Sequence, residues 1–300
     1  MTNKPARIDF PSKVGIFWYS EFWPIRDAQD VARDIEALGF GSLFMPEAAG
    51  KDVLVESAAF LAATERLVVG TGIANIHVRI PSAAETGGRT LSALHPGRFV
   101  LGLGVSHAGF MKHATGGAYV KPLGMMRGYL ERMDAVSPAI EPGATRPARL
   151  LAALGPKMIE LSGNGADGAI PYLITPEQTQ ITRSTLGVDP WIVSEQAVAI
   201  GGDSDDQLRR ARSHLDMYMP APNYRNSWLR QGFDESDFVP AGSDRLARTL
   251  VGMGPAEDAA AAVTAHLDAG ADHVVVQILG DTDLADPRPA LRELAAALKL

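Results

Sequence analysis

Eight short runs of apolar and β-branched residues, each followed by a segment of helical period, set the main constraint on this chain. They fall at 13–18 (KVGIFW), 41–46 (GSLFMP), 66–73 (RLVVGTGI), 98–103 (RFVLGL), 149–154 (RLLAAL), 168–173 (GAIPYL), 191–200 (WIVSEQAVAI) and 273–278 (HVVVQI). Short parallel strands need helical crossovers, and eight such units can close without leaving an unpaired edge. The expectation is an α/β chain folded as a (β/α)8 TIM barrel. An open doubly wound sheet is the alternative, but the GxGxxG turn that follows its first strand is missing; Gly70–Gly72 and Gly102–Gly104 are GxG pairs inside strands.

Helix signals fit between the runs. Val31, Ile35 and Leu38 share one face of 27–38, and Asp52 caps a helix over 52–64 that carries Val55, Ala59 and Leu61. Ser82 reads as an N-cap for a helix ending at Leu94, and others follow at 122–136, 156–167, from Thr175, from Asp203 to Met219, and at 287–299. Residues 220–254 break the repeat: they are aromatic and punctuated by Pro and Gly, as expected of an insertion after the seventh βα unit. The whole of 1–300 reads as a single barrel domain.

Composition narrows the class. With 46% hydrophobic and 21% charged residues the chain is an ordinary globular protein, and 28 basic against 35 acidic residues, for a net charge of −7, offer no basic face for nucleic acid. Cysteine is absent, which excludes thiolate nucleophiles, disulfides and Cys-based metal sites. No apolar stretch has transmembrane length and the first residues lack a signal-peptide core. A cytoplasmic protein acting on a small molecule is expected, with a homodimer as its assembly.

In a barrel the chemistry lies at the C-terminal ends of the strands. Those ends offer Trp18 and Tyr19; Glu47; Gly72, Ile73 and Asn75; Ser106 and His107; Gly155, Pro156 and Lys157; Tyr172; Ser194 and Glu195; and Gln277. The set lacks the clustered His, Asp and Glu of a metal site, so no metal is assigned. His107 follows a glycine-bearing strand and is either a proton donor and acceptor near neutral pH or a loop-capping histidine. Glu47 reads as an acid or base, or equally as a carboxylate bonded to the next helix. Gly155 before a helix start exposes backbone N–H groups, and Lys157 adds charge, which suits an anion or phosphate; a tight turn with a solvated lysine is the simpler reading. Trp18 and Tyr172 are candidate pocket walls. His77 and Arg79 are expected at the solvent face, as are His95, His113, His214 and His266, while His273 starts a strand at the far end of the barrel.

The run ATERLVVGTGIANIHVRIPSAAETGGRTLSALHPGRFVLGLGVSHA at 63–108, LLAALGPKMIELSGNGADGAIPYLITPEQT at 150–179 and AGADHVVVQIL at 269–279 resemble the luciferase-like monooxygenase superfamily. Within it they resemble the actinobacterial branch of coenzyme F420-dependent oxidoreductases. The resemblance implies an oxidoreductase that transfers a hydride between deazaflavin coenzyme F420 and a small organic substrate. An FMN-dependent monooxygenase, or a flavin- or deazaflavin-binding protein with little catalysis, are the alternatives it allows. It further implies a non-prolyl cis peptide at Gly72–Ile73 supporting the ring, with Gly104, Val105 and Ser106 bordering the ring and its side chain. The coenzyme phosphate would lie near Leu154, Gly155, Pro156 and Lys157. From the residues themselves His107 is expected as the catalytic proton donor or acceptor, with Glu47 as its weaker partner. The sugar-phosphate dehydrogenases of the family have an Asp-His pair where this chain has Glu47-Ala48, and a glutamate where it has His107. They also have a phosphate-binding lysine that 171–176 lack. Their substrate is not carried over.

Overall fold

The computed structural model describes residues 8–48, 50–107, 121–136, 145–282 and 285–300. Its strands are β1 (Val14–Phe17), β2 (Ser42–Met45), β3 (Val68–Thr71), β4 (Ala74–Asn75), β5 (Phe99–Gly104), β6 (Ala148–Leu151), β7 (Gly168–Ala169), β8 (Trp191–Ile200), β9 (Val251–Gly254) and β10 (His273–Ile278). Every pairing is parallel, and the order β1, β2, β3, β5, β6, β7, β8, β10 returns to β1 through Val14 opposite Val274. The barrel is therefore closed, as the eight runs require. β4 adds to β5 beyond the end of β3. β9 pairs with the last four residues of β8, Ala197 to Ile200.

Strand alternation divides the core in two. Val14, Ile16, Val274 and Val276 face the helical layer, whereas Phe17, Phe44, Val100, Leu150, Ile170, Val193 and Val275 fill the barrel. At its N-terminal end the Phe10 ring stacks on His273 at 3.9 Å, and Ser42 Oγ lies 2.6 Å from His273 Nε2. This confirms the placing of His273 and seals the floor.

The helices start where local chemistry supplies caps. Asp52 accepts from the N–H groups of Leu54 and Val55, Thr175 from Gln178, and Asp203 from Asp205 and Asp206; each such cap is worth about 1 kcal/mol. Two expectations need correction. Ser82 is not a cap: Pro81 takes the first helical position of Pro81–Leu94, where its missing N–H costs nothing. Val55 is 70% exposed, and the buried face of Val53–Ala63 instead includes Glu56 and Ser57. Glu56 is satisfied there, its Oε1 accepting from Ser20 Oγ at 2.8 Å with Lys51 Nζ at 3.3 Å.

Between the helix Ser204–Asp216 and β10 run helices Pro222–Arg230 and Asp244–Leu250, then β9 and a long helix, Ala256–Asp268. Within 220–254 the two short helices are followed by β9, a strand that was not expected there, and the long helix after it was not anticipated either. Among the described residues no helix is long and apolar enough to cross a membrane.

Candidate active site

The glycines of β5 are explained by their neighbour. A Cβ on Gly102 would collide with the Thr71 carbonyl oxygen, and one on Gly104 with the Ile73 side chain. Thr71 Oγ1 also donates to the Gly102 carbonyl at 2.6 Å. The end of β3 is thus laid directly against β5, and the Gly72–Ile73 peptide in that segment is cis.

Glu47 braces the same segment. Its N–H donates to the Ile73 carbonyl, its Oε2 accepts from the Asn75 N–H at 2.8 Å, and both its oxygens accept from the Arg79 guanidinium. Arg79 is therefore no solvent-facing residue; its side chain is 9% exposed, and it also reaches Asp52. A carboxylate held by three donors is an orienting group first.

On the β5 side Val105, Ser106 and His107 are half-buried, with Ser106 at φ +56°. Burial lowers the His107 pKa, as it does that of His77. Residues 108–120, His113 among them, lie outside the described residues.

Opposite stands a hydroxyl cluster that the sequence only hinted at. Tyr172 donates to Gln277 Oε1 at 2.6 Å, Tyr218 donates to Tyr172 at 3.0 Å, and Tyr19 lies 3.1 Å from Tyr218. With the Tyr172 proton committed to Gln277, His214 Nε2, 3.2 Å away, is the donor to Tyr172. His214 was expected at the surface but is buried, and desolvation lowers its pKa to about 4. His266 is a second such correction: it is fully buried between Thr179 (2.8 Å) and Gln196 (3.0 Å), again with a pKa near 4, lowered to about 4 by burial. Helical period alone read both as surface residues because their partners lie far away in the chain.

Trp18 is displaced from its expected role. It faces the helical layer against Trp23, ring centroids 5.5 Å apart, so the aromatic that β1 presents to the mouth is the next residue, Tyr19. Tyr172 does stand at the mouth, its ring 5.5 Å from Phe17.

Leu154, Gly155, Pro156 and Lys157 form the entry to the helix Pro156–Asn164. Its N-cap Gly155 makes no side-chain cap and has open space where a Cβ would stand. Lys157 is exposed there, and Arg230, which sequence reasoning missed, donates to the Leu154 carbonyl at 3.1 Å. A helix N-terminus flanked by two cations suits a phosphate. Three buried atoms have no hydrogen-bond partner among the described residues: Asn75 Nδ2 at the end of β4, His77 Nε2 in the loop that follows, and Glu195 Oε1 midway along β8. Such donors and acceptors suit the polar edge of a flat heterocycle. No cluster of metal-ligating side chains occurs among the described residues.

A closed parallel barrel with its polar groups gathered at the strand C-termini defines a class of barrel enzymes whose loops carry the chemistry. The model of the luciferase-like monooxygenase family matches residues 13–273, and the chain belongs to that family. A Mycobacterium tuberculosis protein provisionally named a coenzyme F420-dependent oxidoreductase is 27% identical over 200 residues. That match covers 57% of each chain, so little more than half of the relative's length is spanned. Among solved structures, an F420-dependent secondary alcohol dehydrogenase in complex with an F420–acetone adduct superposes with a TM-score of 0.75 at 16% identity, covering 96% of this chain and 99% of that one. The F420-dependent tetrahydromethanopterin reductase of Methanopyrus kandleri gives 0.69 at 14% identity, with 98% and 99% covered. The FMN-bound oxygenating constituent of 3,6-diketocamphane monooxygenase from Pseudomonas putida gives 0.69 at 13%, with 96% and 97% covered. At these identities the structures speak to the fold.

Proposed function

We propose that this chain is an F420-dependent oxidoreductase that moves a hydride between the deazaflavin and a small organic substrate at the barrel mouth. The observation that carries the reading is the uncapped helix start at Gly155, flanked by Lys157 and Arg230, together with the buried unpartnered polar atoms of Asn75, His77 and Glu195. The first fits a phosphate and the second a ring edge. The similarity to the mycobacterial relative favours deazaflavin over flavin.

When bound, the coenzyme supplies a carbon centre that gives or takes the hydride. Gly72, Ile73, Gly104, Val105 and Ser106 border the ring, with Glu47 and Arg79 keeping the Ile73 segment in place. Leu154 to Lys157 and Arg230 hold the phosphate. Tyr19 and Tyr172 line the substrate side and limit water. His107, kept neutral by burial, accepts the proton released when an alcohol is oxidised and returns it in the reverse direction. The reading extends to a single domain with 220–254 as its insertion, a cytoplasmic location, and a homodimer, to which exposed Val55 and Ile80 would contribute.

Fluorescence titration with F420 and FMN tests the coenzyme. Micromolar or tighter F420 binding is expected; tight FMN binding with no response to F420 would overturn the assignment in favour of a flavin monooxygenase. Binding of F420 without turnover across ketones, enones and alcohols would leave a carrier protein.

A further inference from the structure

Glu195 has entered the site so far only through its unpartnered Oε1, with no role of its own. Along β8, Ser194 and Gln196 turn outward to Thr179 and His266, which puts Glu195 with Val193 on the inner face. The residue is 1% exposed. Its Oε2 accepts from the Leu173 N–H at 3.1 Å, whereas Oε1 is buried without a hydrogen-bond partner among the described residues. No Lys or Arg pairs with it among those residues. The groups that face it are Tyr19 from the end of β1 and Tyr172 from the loop after β7, with Tyr218 and His214 behind Tyr172. All are neutral near pH 7. A carboxylate in that ring would be a buried charge with no counter-charge, while a carboxylic acid is neutral and presents one O–H in need of an acceptor.

We propose that Glu195 is a ligand-binding hydrogen-bond donor, whose protonated Oε1 holds a carbonyl oxygen of the molecule that enters the barrel mouth. The Leu173 N–H pins one oxygen, so the other has a fixed direction. Desolvation raises the pKa to about 8, the Leu173 N–H offsetting only part of it, so the donor form prevails at neutral pH. The carbonyl can belong to the pyrimidine ring of the deazaflavin or to a keto substrate. The first source rests on the function proposed above; the donor role itself does not.

Protein carrying [5-13C]glutamate, titrated by NMR, tests this, with the Glu195 signal identified by its loss in Glu195→Gln. The signal should titrate near pH 8. It should move on adding F420 alone if the coenzyme is the source, or only on adding cyclohexanone if the substrate is. For whichever probe moves it, affinity should weaken above about pH 8 in the wild type. It should become independent of pH and stay within about threefold in Glu195→Gln, which keeps a donor, and fall at least about tenfold in Glu195→Leu. A midpoint below about pH 6, no movement with either probe, or equal losses in the two variants would overturn the proposal. Failure of F420 to bind, with Glu195 still titrating near pH 8 and answering cyclohexanone, would overturn the coenzyme assignment alone.

Discussion

An imidazole half out of water is poorly hydrated in its charged form, and this lowers the pKa of His107 at the end of β5, the residue proposed above as the proton acceptor. Glu47, named beside it on sequence grounds, is occupied by Arg79 and the Asn75 N–H and acts on the backbone around Ile73. The two differ in what their removal should do. His107→Ala should leave F420 affinity within about threefold and lower turnover by about a hundredfold or more, the range of general acid–base catalysis. Stopped-flow turnover together with fluorescence titration measures both, and unchanged turnover would make His107 a loop-capping residue. Glu195 was named with Ser194 at its strand, but period two could not choose between faces that both carry polar residues. The hydrogen bonds of Ser194 and Gln196 to outer helices, with Val193 in the barrel, show that Glu195 points inward.

Among the elements, the loop after β7 and the inserted helices depend on each other. Leu173 has φ +53°, a region that costs a residue with a Cβ about 1 kcal/mol or more. Its N–H is taken by Glu195, its carbonyl accepts from the buried Trp228 indole at 3.1 Å, and Thr175 N–H donates to Gln231 at 2.8 Å. Trp228→Phe leaves that carbonyl without its donor and should cost about 1–3 kcal/mol in urea unfolding. A change below about 0.5 kcal/mol would mean that packing alone holds the loop. The strands and most helix starts were legible because they depend on local pattern: runs of period two, and caps at Asp52, Thr175 and Asp203. What depends on distant partners was not. Trp18 and Tyr19 differ by one step of alternation and so by the whole thickness of the sheet. Val55 lost the inward face to Glu56, whose partners Ser20 and Lys51 no helical period reveals.

For the molecule as a whole, buried ionisable groups set the acid–base behaviour. Burial lowers His214 and His266 to about 4 and His273 to about 3, against 6.5 when exposed. The unfolded chain binds these protons first, so their contribution is complete above about pH 6.5 and is lost as pH falls toward 4. Glu195 has the opposite sign: raised from 4.5 to about 8, it favours the fold at low pH and loses that advantage as pH rises through this interval. Three groups against one leave stability climbing to about pH 6.5 and then declining gently, by at most about 1.4 kcal/mol per pH unit. Calorimetry across this range should find the highest Tm near pH 6.5; a Tm still rising from pH 7 to about 8 would contradict the signs. The floor has another consequence. Phe10 lies over His273, Ser42 closes on the same ring, and Phe17 and Phe44 fill the shaft above, so nothing passes through the barrel. Under the proposed function coenzyme and substrate then share one doorway, and whichever of the two sits deeper must arrive first and depart last.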